Sequence, residues 1–429
     1  MKLYVYNELT EKERIELCNR PKMDFQSIFV KIKPIIEKVR KKGDTGIQHF
    51  TKKFDGVAPN PQMIHPNKVQ VDLNPDIKKA IDTAFKNIYR FHKAQLPVPL
   101  EVETMPGVKC ERVARPIEKV GLYVPGGTAI LPSTLMMLGI PAALAGCKTI
   151  VVATPPDQDG NIADEILYLA QKIGITHLLK AGGAQAIAGM AWGTESIPKV
   201  DKIFGPGNQY VTAAKMLLQN SEAQIAIDMP AGPSEVLVIA DDSANPEFVA
   251  ADLLSQAEHG ADSQVVLVAT PDFKIAECQR ALESQLNALP RANIARQAIE
   301  KSFSLTVDSL EEAFEFSNQY APEHLIVQCR DAEKWADHIT NAGSVFFGHW
   351  TPESVGDYAS GTNHTLPTYG YARMFSGVSV DSFVKHITMQ TLTKDGLKHV
   401  GPTVEQLAEL EELQAHKNAV TIRLENLEN

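Results

Sequence analysis

Lys202-Ile203-Phe204-Gly205-Pro206-Gly207-Asn208 reads as a short apolar strand, a glycine turn and the opening of a helix. Glycine lacks a Cβ, so such a turn can bring backbone N–H groups close to a phosphate at a helix N-terminus. It can equally be a tight turn and nothing more. The dinucleotide fingerprint is incomplete, because no third glycine follows where Gly-x-Gly-x-x-Gly would place it. Working outward, Gly126-Gly127 and Gly182-Gly183 repeat the arrangement, and Thr149-Ile150-Val151-Val152-Ala153 and Leu178-Leu179 are further strand candidates. Glycine turns at the carboxyl ends of successive strands mark the edge where α/β sheets bind ligands, so a nucleotide-sized ligand is expected there.

A second series of strands and helices follows. Val236-Leu237-Val238-Ile239-Ala240 leads to a helix over 246–259, then Val265-Val266-Leu267-Val268-Ala269, helices to about 301, and Leu325-Ile326-Val327. The strings Val151-Val152-Ala153-Thr154-Pro155 and Leu267-Val268-Ala269-Thr270-Pro271 look alike, which suggests two related α/β halves with mostly parallel sheets. The first hundred or so residues read as helical. A stripe of Ile28, Ile32, Ile35, Ile36 and Val39 predicts a helix over 24–41, and Ile77, Ile81, Ala84 and Ile88 predict another over 76–91. Past Gly348 the chain is rich in glycine and polar residues, then closes with an acidic amphipathic helix over about 404–424.

Composition narrows the class. The chain has 429 residues, 44% apolar and 22% charged, with a formal net charge of −10. That balance argues against a protein that tracks nucleic-acid phosphates. No apolar run approaches the roughly 20 residues of a membrane span. The N-terminus turns polar too early for a signal peptide, so a cytoplasmic enzyme is expected. The five cysteines are scattered and form no Cys-x-x-Cys pair, so neither a disulfide framework nor a thiolate zinc knuckle is expected. Cys147 reads as a small buried residue rather than a nucleophile.

Four stretches carry chemistry. Gln256 and His259 are three residues apart near the end of one helix, where both can face one cation or one of them can serve as a cap. Asp357 and His364 lie in a loop dense in functional side chains. Glu323 and His324 stand side by side just before a strand, a pairing suited to acid–base work but common on surfaces. Glu411, Glu412 and His416 share two turns of the tail helix, which periodicity alone assigns to a solvated face.

Taken in order, these stretches resemble the histidinol dehydrogenase family. The matching strings are Gly121-Leu122-Tyr123-Val124-Pro125-Gly126-Gly127, Lys202 to Asn208, Asp228-Met229-Pro230-Ala231-Gly232-Pro233-Ser234-Glu235 and Asp252 to Gly260. Ala321-Pro322-Glu323-His324-Leu325 and Gly356 to Pro367 complete the set, so the resemblance runs from about residue 20 to the C-terminus.

The resemblance implies two incomplete Rossmann-like domains and oxidation of L-histidinol through L-histidinal to L-histidine, the last step of histidine biosynthesis, with two NAD⁺ and one Zn²⁺ per subunit. It assigns zinc to Gln256, His259, Asp357 and His416, substrate contacts also to Ser234, His364 and Glu411, and catalysis to Glu323 and His324. NAD would meet Tyr123, Gln185 and Asn208. A homodimer is implied, with His416 and Glu411 reaching into the partner's site. The expected division is an extension over 1–20, a first domain from 21–105 and 235–350, an NAD-binding domain over 106–234, and a dimer-contacting region over 351–429.

Overall fold

The computed structural model describes residues 1–20, 25–126, 130–230 and 232–428. Asp24, Gly127 and Ala231, each part of a stretch singled out above, lie outside the described residues.

Two six-stranded sheets organise the chain. The first runs, in spatial order, Lys2–Val5, Phe303–Thr306, Gln264–Ala269, Glu235–Ala240, His324–Gln328 and Ser344–Phe347, with every neighbouring pair parallel. Its central strands are continuous apolar runs because helices cover both faces. Alternate side chains separate cleanly. Val236, Val238, Val265 and Leu267 pack with the helices Pro246–Ala257 and Ile275–Ala288. Leu237, Ile239, Val266 and Val268 pack with Phe314, Phe316 and Tyr320 of Leu310–Tyr320.

The second sheet runs Met63–Ile64, His177–Lys180, Thr149–Thr154, Lys119–Tyr123, Lys202–Phe204 and Ala226–Ile227. All pairs are parallel except the first, where Met63–Ile64 opposes His177–Lys180. Starting from Lys119–Tyr123, the four central strands lie in the order third, second, first, fourth, the order of one doubly wound nucleotide fold.

The N-terminal stretches are shared differently from the expected division. Lys2–Val5 is an edge strand of the first sheet, not an appended extension. The stripe of Ile28, Ile32, Ile36 and Val39 is buried against Ala186, Ile187 and Met190, so the helical lead-in packs on the second sheet rather than the first. Ile81, Ala84 and Ile88 join the core on that sheet's opposite face. The lead-in is a helix pair merged over Phe25–Asp55, broken where Gly43 leaves helical geometry. An antiparallel ribbon of Leu100–Met105, Val108–Pro116 and Val384–Leu392 was not foreseen, and the helices Lys394–Leu410 and Gln414–Glu428 pack beside it and on each other. No helix among the described residues is long and apolar enough to cross a membrane.

Candidate functional site

The densest cluster of chemistry lies at the amino edge of the first sheet. His324 opens the strand His324–Gln328, and Glu235 opens the neighbouring strand Glu235–Ala240. Far from decorating a surface, Glu323 and His324 are 7% and 3% exposed. The Glu235 backbone holds both: its N–H donates to Glu323 Oε2 at 2.8 Å, and its carbonyl lies 3.2 Å from His324 Nδ1. A carbonyl can only accept and the Gln256 Nε2 at 3.3 Å can only donate, so Nδ1 has a partner in either protonation state. Nε2 is buried with no hydrogen-bond partner and lies 3.4 Å from Asp357 Oδ1.

Pro246–Ala257 crosses from the carboxyl edge back to this amino edge, so its C-terminal turn delivers Gln256 beside the imidazole, Nε2 to Nδ1 3.3 Å. Gln256 is 1% exposed, and its Oε1 is likewise buried without a partner among the described residues. The ligand atoms of His259, Glu353 and Asp357 all lie within 4.8 Å of one another, a possible metal site. Oxygen and imidazole donors in this number suit a hard or borderline divalent cation, and the orphaned Gln256 carbonyl oxygen fits the same role. Glu353 was missed by sequence reasoning. Its one signal is placement four residues before Asp357 on the short helix Glu353–Tyr358.

The electrostatics express the crowding. Burial disfavours charge on His324, but Glu323 alongside it, with Asp357 and Glu353, outweighs this and holds its pKa well above the usual imidazole value. Burial pushes Glu323 up as well. For Asp357 burial opposes ionisation, yet the His324 ring beside it holds it down at about 2. Glu353 is pushed up to about 8 by burial, with the Asp357 carboxylate adding to it against the pull of His324.

A loop from the C-terminal region ties this edge to the other half. His364 Nδ1 lies 2.9 Å from the Asp357 carbonyl and Nε2 lies 3.5 Å from Thr134 Oγ1, on the helix Pro132–Ala145 beside the second sheet. Asn363 donates to the Met137 carbonyl on the same helix. Gly361 has φ 127°, and a Cβ there would stand 3.1 Å from the Asn87 carbonyl. Ser234 immediately precedes Glu235 and is half-buried. Glu411 and His416 are different: both are exposed, Glu411 in the turn that splits the expected tail helix after Leu410 and His416 on Gln414–Glu428, and the single-chain metal cluster among the described residues contains Glu353 rather than His416.

The carboxyl edge of the second sheet holds the other three expected residues. Tyr123, Gln185 and Asn208 line one cavity of about 470 Å³ with Gly126, Gly182 and Gly183. Tyr123 ends its strand, and its hydroxyl accepts the Gly183 N–H at 3.0 Å. Asn208 caps Gln209–Gln219, its Oδ1 accepting from the N–H groups of Tyr210 and Val211 at 3.0 and 3.1 Å. Gln185 is 1% exposed, and its Oε1 has no partner among the described residues. Gly205 takes φ 121° and a Cβ there would stand 2.1 Å from the Tyr123 carbonyl, so that turn admits glycine alone. A Cβ on Gly207 would press on Val211 of the helix that follows. The buried pair Lys215–Asp228 braces the turn, Asp228 accepting the Gly205 N–H at 2.8 Å and Lys215 donating to the Gly205 carbonyl at 2.9 Å. Cys147 is buried, and burial pushes its thiol up to about 12, which rules out a ready thiolate.

Comparison with known proteins agrees with this geometry. A profile described as Histidinol dehydrogenase matches residues 18–424. The chain is 58% identical over 430 residues to "Histidinol dehydrogenase, chloroplastic" of Arabidopsis thaliana, covering 100% of this chain and 92% of that protein. It is 52% identical over 421 residues to histidinol dehydrogenase of Schizosaccharomyces pombe, covering 97% and 96%. The crystal structure of the enzyme from Elizabethkingia anophelis superposes with a TM-score of 0.94 at 51% identity, covering 100% of this chain and 99% of that one. Two mostly parallel six-stranded sheets, a buried Glu-His pair at one edge and matches of this length lead to one conclusion: the chain belongs to the histidinol dehydrogenase family.

Proposed function

We propose that this chain oxidises L-histidinol to L-histidine by two successive NAD-dependent steps at one site, with His324 as the base in both. The observation that carries the reading is His324 itself. Its Nδ1 faces the Glu235 carbonyl and its Nε2 faces Asp357; a divalent cation held by Asp357 would offset the carboxylate charge that favours imidazolium and leave Nε2 free to take a proton. As hydride leaves the carbinol carbon for NAD⁺, Nε2 accepts the hydroxyl proton. Glu323 keeps Oε2 on the Glu235 N–H, and Oε1 is left to take a proton from the water that adds to the aldehyde. His324 returns its proton to the former carbonyl oxygen, so the gem-diol formed is again an alcohol and the neutral ring serves as base a second time. No thiol is required.

Gln256, His259 and Asp357 would hold zinc, with His416 of a second copy; bound there, the ion supplies positive charge to a carboxylate-rich pocket and orients the amino alcohol. Ser234, His364 and Glu411 of the second copy would grip the remainder of the substrate. Tyr123, Gln185 and Asn208 would bind NAD at the second sheet, where Gln185 Oε1 offers an unused acceptor. A homodimer is supported by the surface around the tail: Leu407, Leu410 and Ile422 are 54%, 79% and 56% exposed beside Glu411 and His416. A cytoplasmic location belongs to the same reading, although the Arabidopsis thaliana relative is chloroplastic.

The test is stoichiometric. Purified protein given histidinol and NAD⁺ should release two NADH per histidine, and prior chelation should abolish the reaction. A hydrolase using Glu323 on water without a nucleotide would give no NADH, and that result would end the proposal.

A further inference from the structure

The cavity at the second sheet contains an acid that the reading above leaves unused. Asp55 is the last residue of the helix pair Phe25–Asp55 and lines the cavity with Tyr123, Gln185 and Asn208. Its Oδ2 is buried and has no hydrogen-bond partner among the described residues. Lys31 lines the same cavity, and among the described residues Asp55 has no ion-pair partner. The position is costly for an anion twice over. Burial raises the Asp55 pKa, and a helix C-terminus carries partial negative charge. A carboxylate placed so badly for stability is explained by a ligand that donates to it.

The topology says which ligand groups those are. In a complete dinucleotide fold an acid at the end of the second strand accepts the ribose hydroxyls of the adenosine half. Here the first strand is Lys119–Tyr123 and the second is Thr149–Thr154, which ends in Thr154, Pro155 and Pro156. The acid that follows, Asp157, is exposed and spends its Oδ1 on the N–H groups of Asp159 and Asn161, outside the cavity lining. Pro155 instead packs against Gly182, whose Cβ would stand 2.6 Å from it. The cavity therefore has the ribose-side lining of a nucleotide site but draws its carboxylate from the N-terminal helix. Gln185 Oε1 in the same cavity is the second buried acceptor without a partner, so the lining is short of donors at two points.

We infer that Asp55 accepts the adenosine ribose hydroxyls of NAD and, by its charge, excludes the 2′-phosphate of NADP. The inference rests on the NAD reading of this cavity and names the residue that sets cofactor choice within it.

The experiment compares wild type with Asp55→Asn, titrating ADP-ribose, 2′-phospho-ADP-ribose and nicotinamide mononucleotide by calorimetry and measuring histidinol turnover with NAD⁺ and NADP⁺. Hydrogen bonds to a charged group predict at least tenfold weaker ADP-ribose binding in the variant. Nicotinamide mononucleotide should bind within twofold of wild type, and the preference for NAD⁺ over NADP⁺ should fall at least tenfold. The thermal midpoint of the unliganded variant should equal or exceed that of wild type, which a merely structural carboxylate would not produce. Asp55→Glu, which retains the charge, should keep the discrimination against the 2′-phosphate, and its loss there would count against the inference. Wild-type affinity and preference in a folded Asp55→Asn protein would overturn the inference while leaving the NAD reading intact. Failure of wild type itself to bind ADP-ribose or NAD⁺ would overturn both.

Discussion

The two six-stranded sheets share an architecture and differ in which edge they use. The second sheet presents its carboxyl edge, where strands hand over to helix N-termini at Gly183 and Gln209. The first presents its amino edge, where Pro246–Ala257 ends and His324 begins a strand. Helix N-termini favour anions and helix C-termini favour cations, so the two edges of one fold suit opposite ligands. A pyrophosphate belongs at the first kind of edge and a metal ion at the second. Backbone does most of the work at the glycine turns, whereas buried side chains do it around His324.

That contrast can be broken by three measurements. The largest effect should come from the amino edge: His324→Ala should lower kcat by about a thousandfold with histidinol and with histidinal, the middle of the range for a lost general base. NAD affinity should stay within a few-fold, because the ring is not among the residues that line the nucleotide cavity. Loss confined to one half-reaction would show that the two steps use different bases.

A smaller effect, read in stability, should come from the support behind that edge. Arg20 makes paired bonds of 2.9 and 2.8 Å to Glu235, with side chains 5% and 1% exposed, and stacks on Tyr320 at 3.5 Å. Arg20→Met leaves a buried carboxylate alone and should cost about 3–5 kcal/mol in denaturant unfolding. Adding Glu235→Gln should recover a large part of it, while failure to recover would mean that Arg20 acts through Tyr320 rather than through charge. The smallest effect should come from the carboxyl edge. Asn208→Ala removes a helix cap and should cost about 1 kcal/mol, with a rise of a few-fold in the KM for NAD⁺ and no change in the KM for histidinol.

Much of the scaffold was legible in the chain because buried parallel strands are continuous apolar runs and their turns need glycine. Gln256, His259, Asp357 and the Glu323-His324 pair stood out as chemistry-bearing types at workable spacings. What stayed hidden was partnership. The stripe over Ile28 to Val39 announced that a helix face is buried but not which sheet receives it, and the core of the second sheet did. Arg20 meets Glu235 across 215 residues, a pairing no local pattern encodes. Glu353 is a lone acid after a proline, ordinary until folding sets it beside Asp357 and His259. The ribbon strand Leu100–Met105 alternates apolar and acidic residues, a period-two signal that the helical texture around it obscured. His416 became a candidate through family likeness, and a single chain does not bring it to the cluster.

The bridge from His364 to Thr134 carries a last consequence. It clasps the loop of one half to a helix of the other, so on the proposed route spent nucleotide can be traded for fresh at its own doorway. The half-oxidised intermediate then stays caged across the exchange, and a reactive aldehyde never needs to enter the surrounding water.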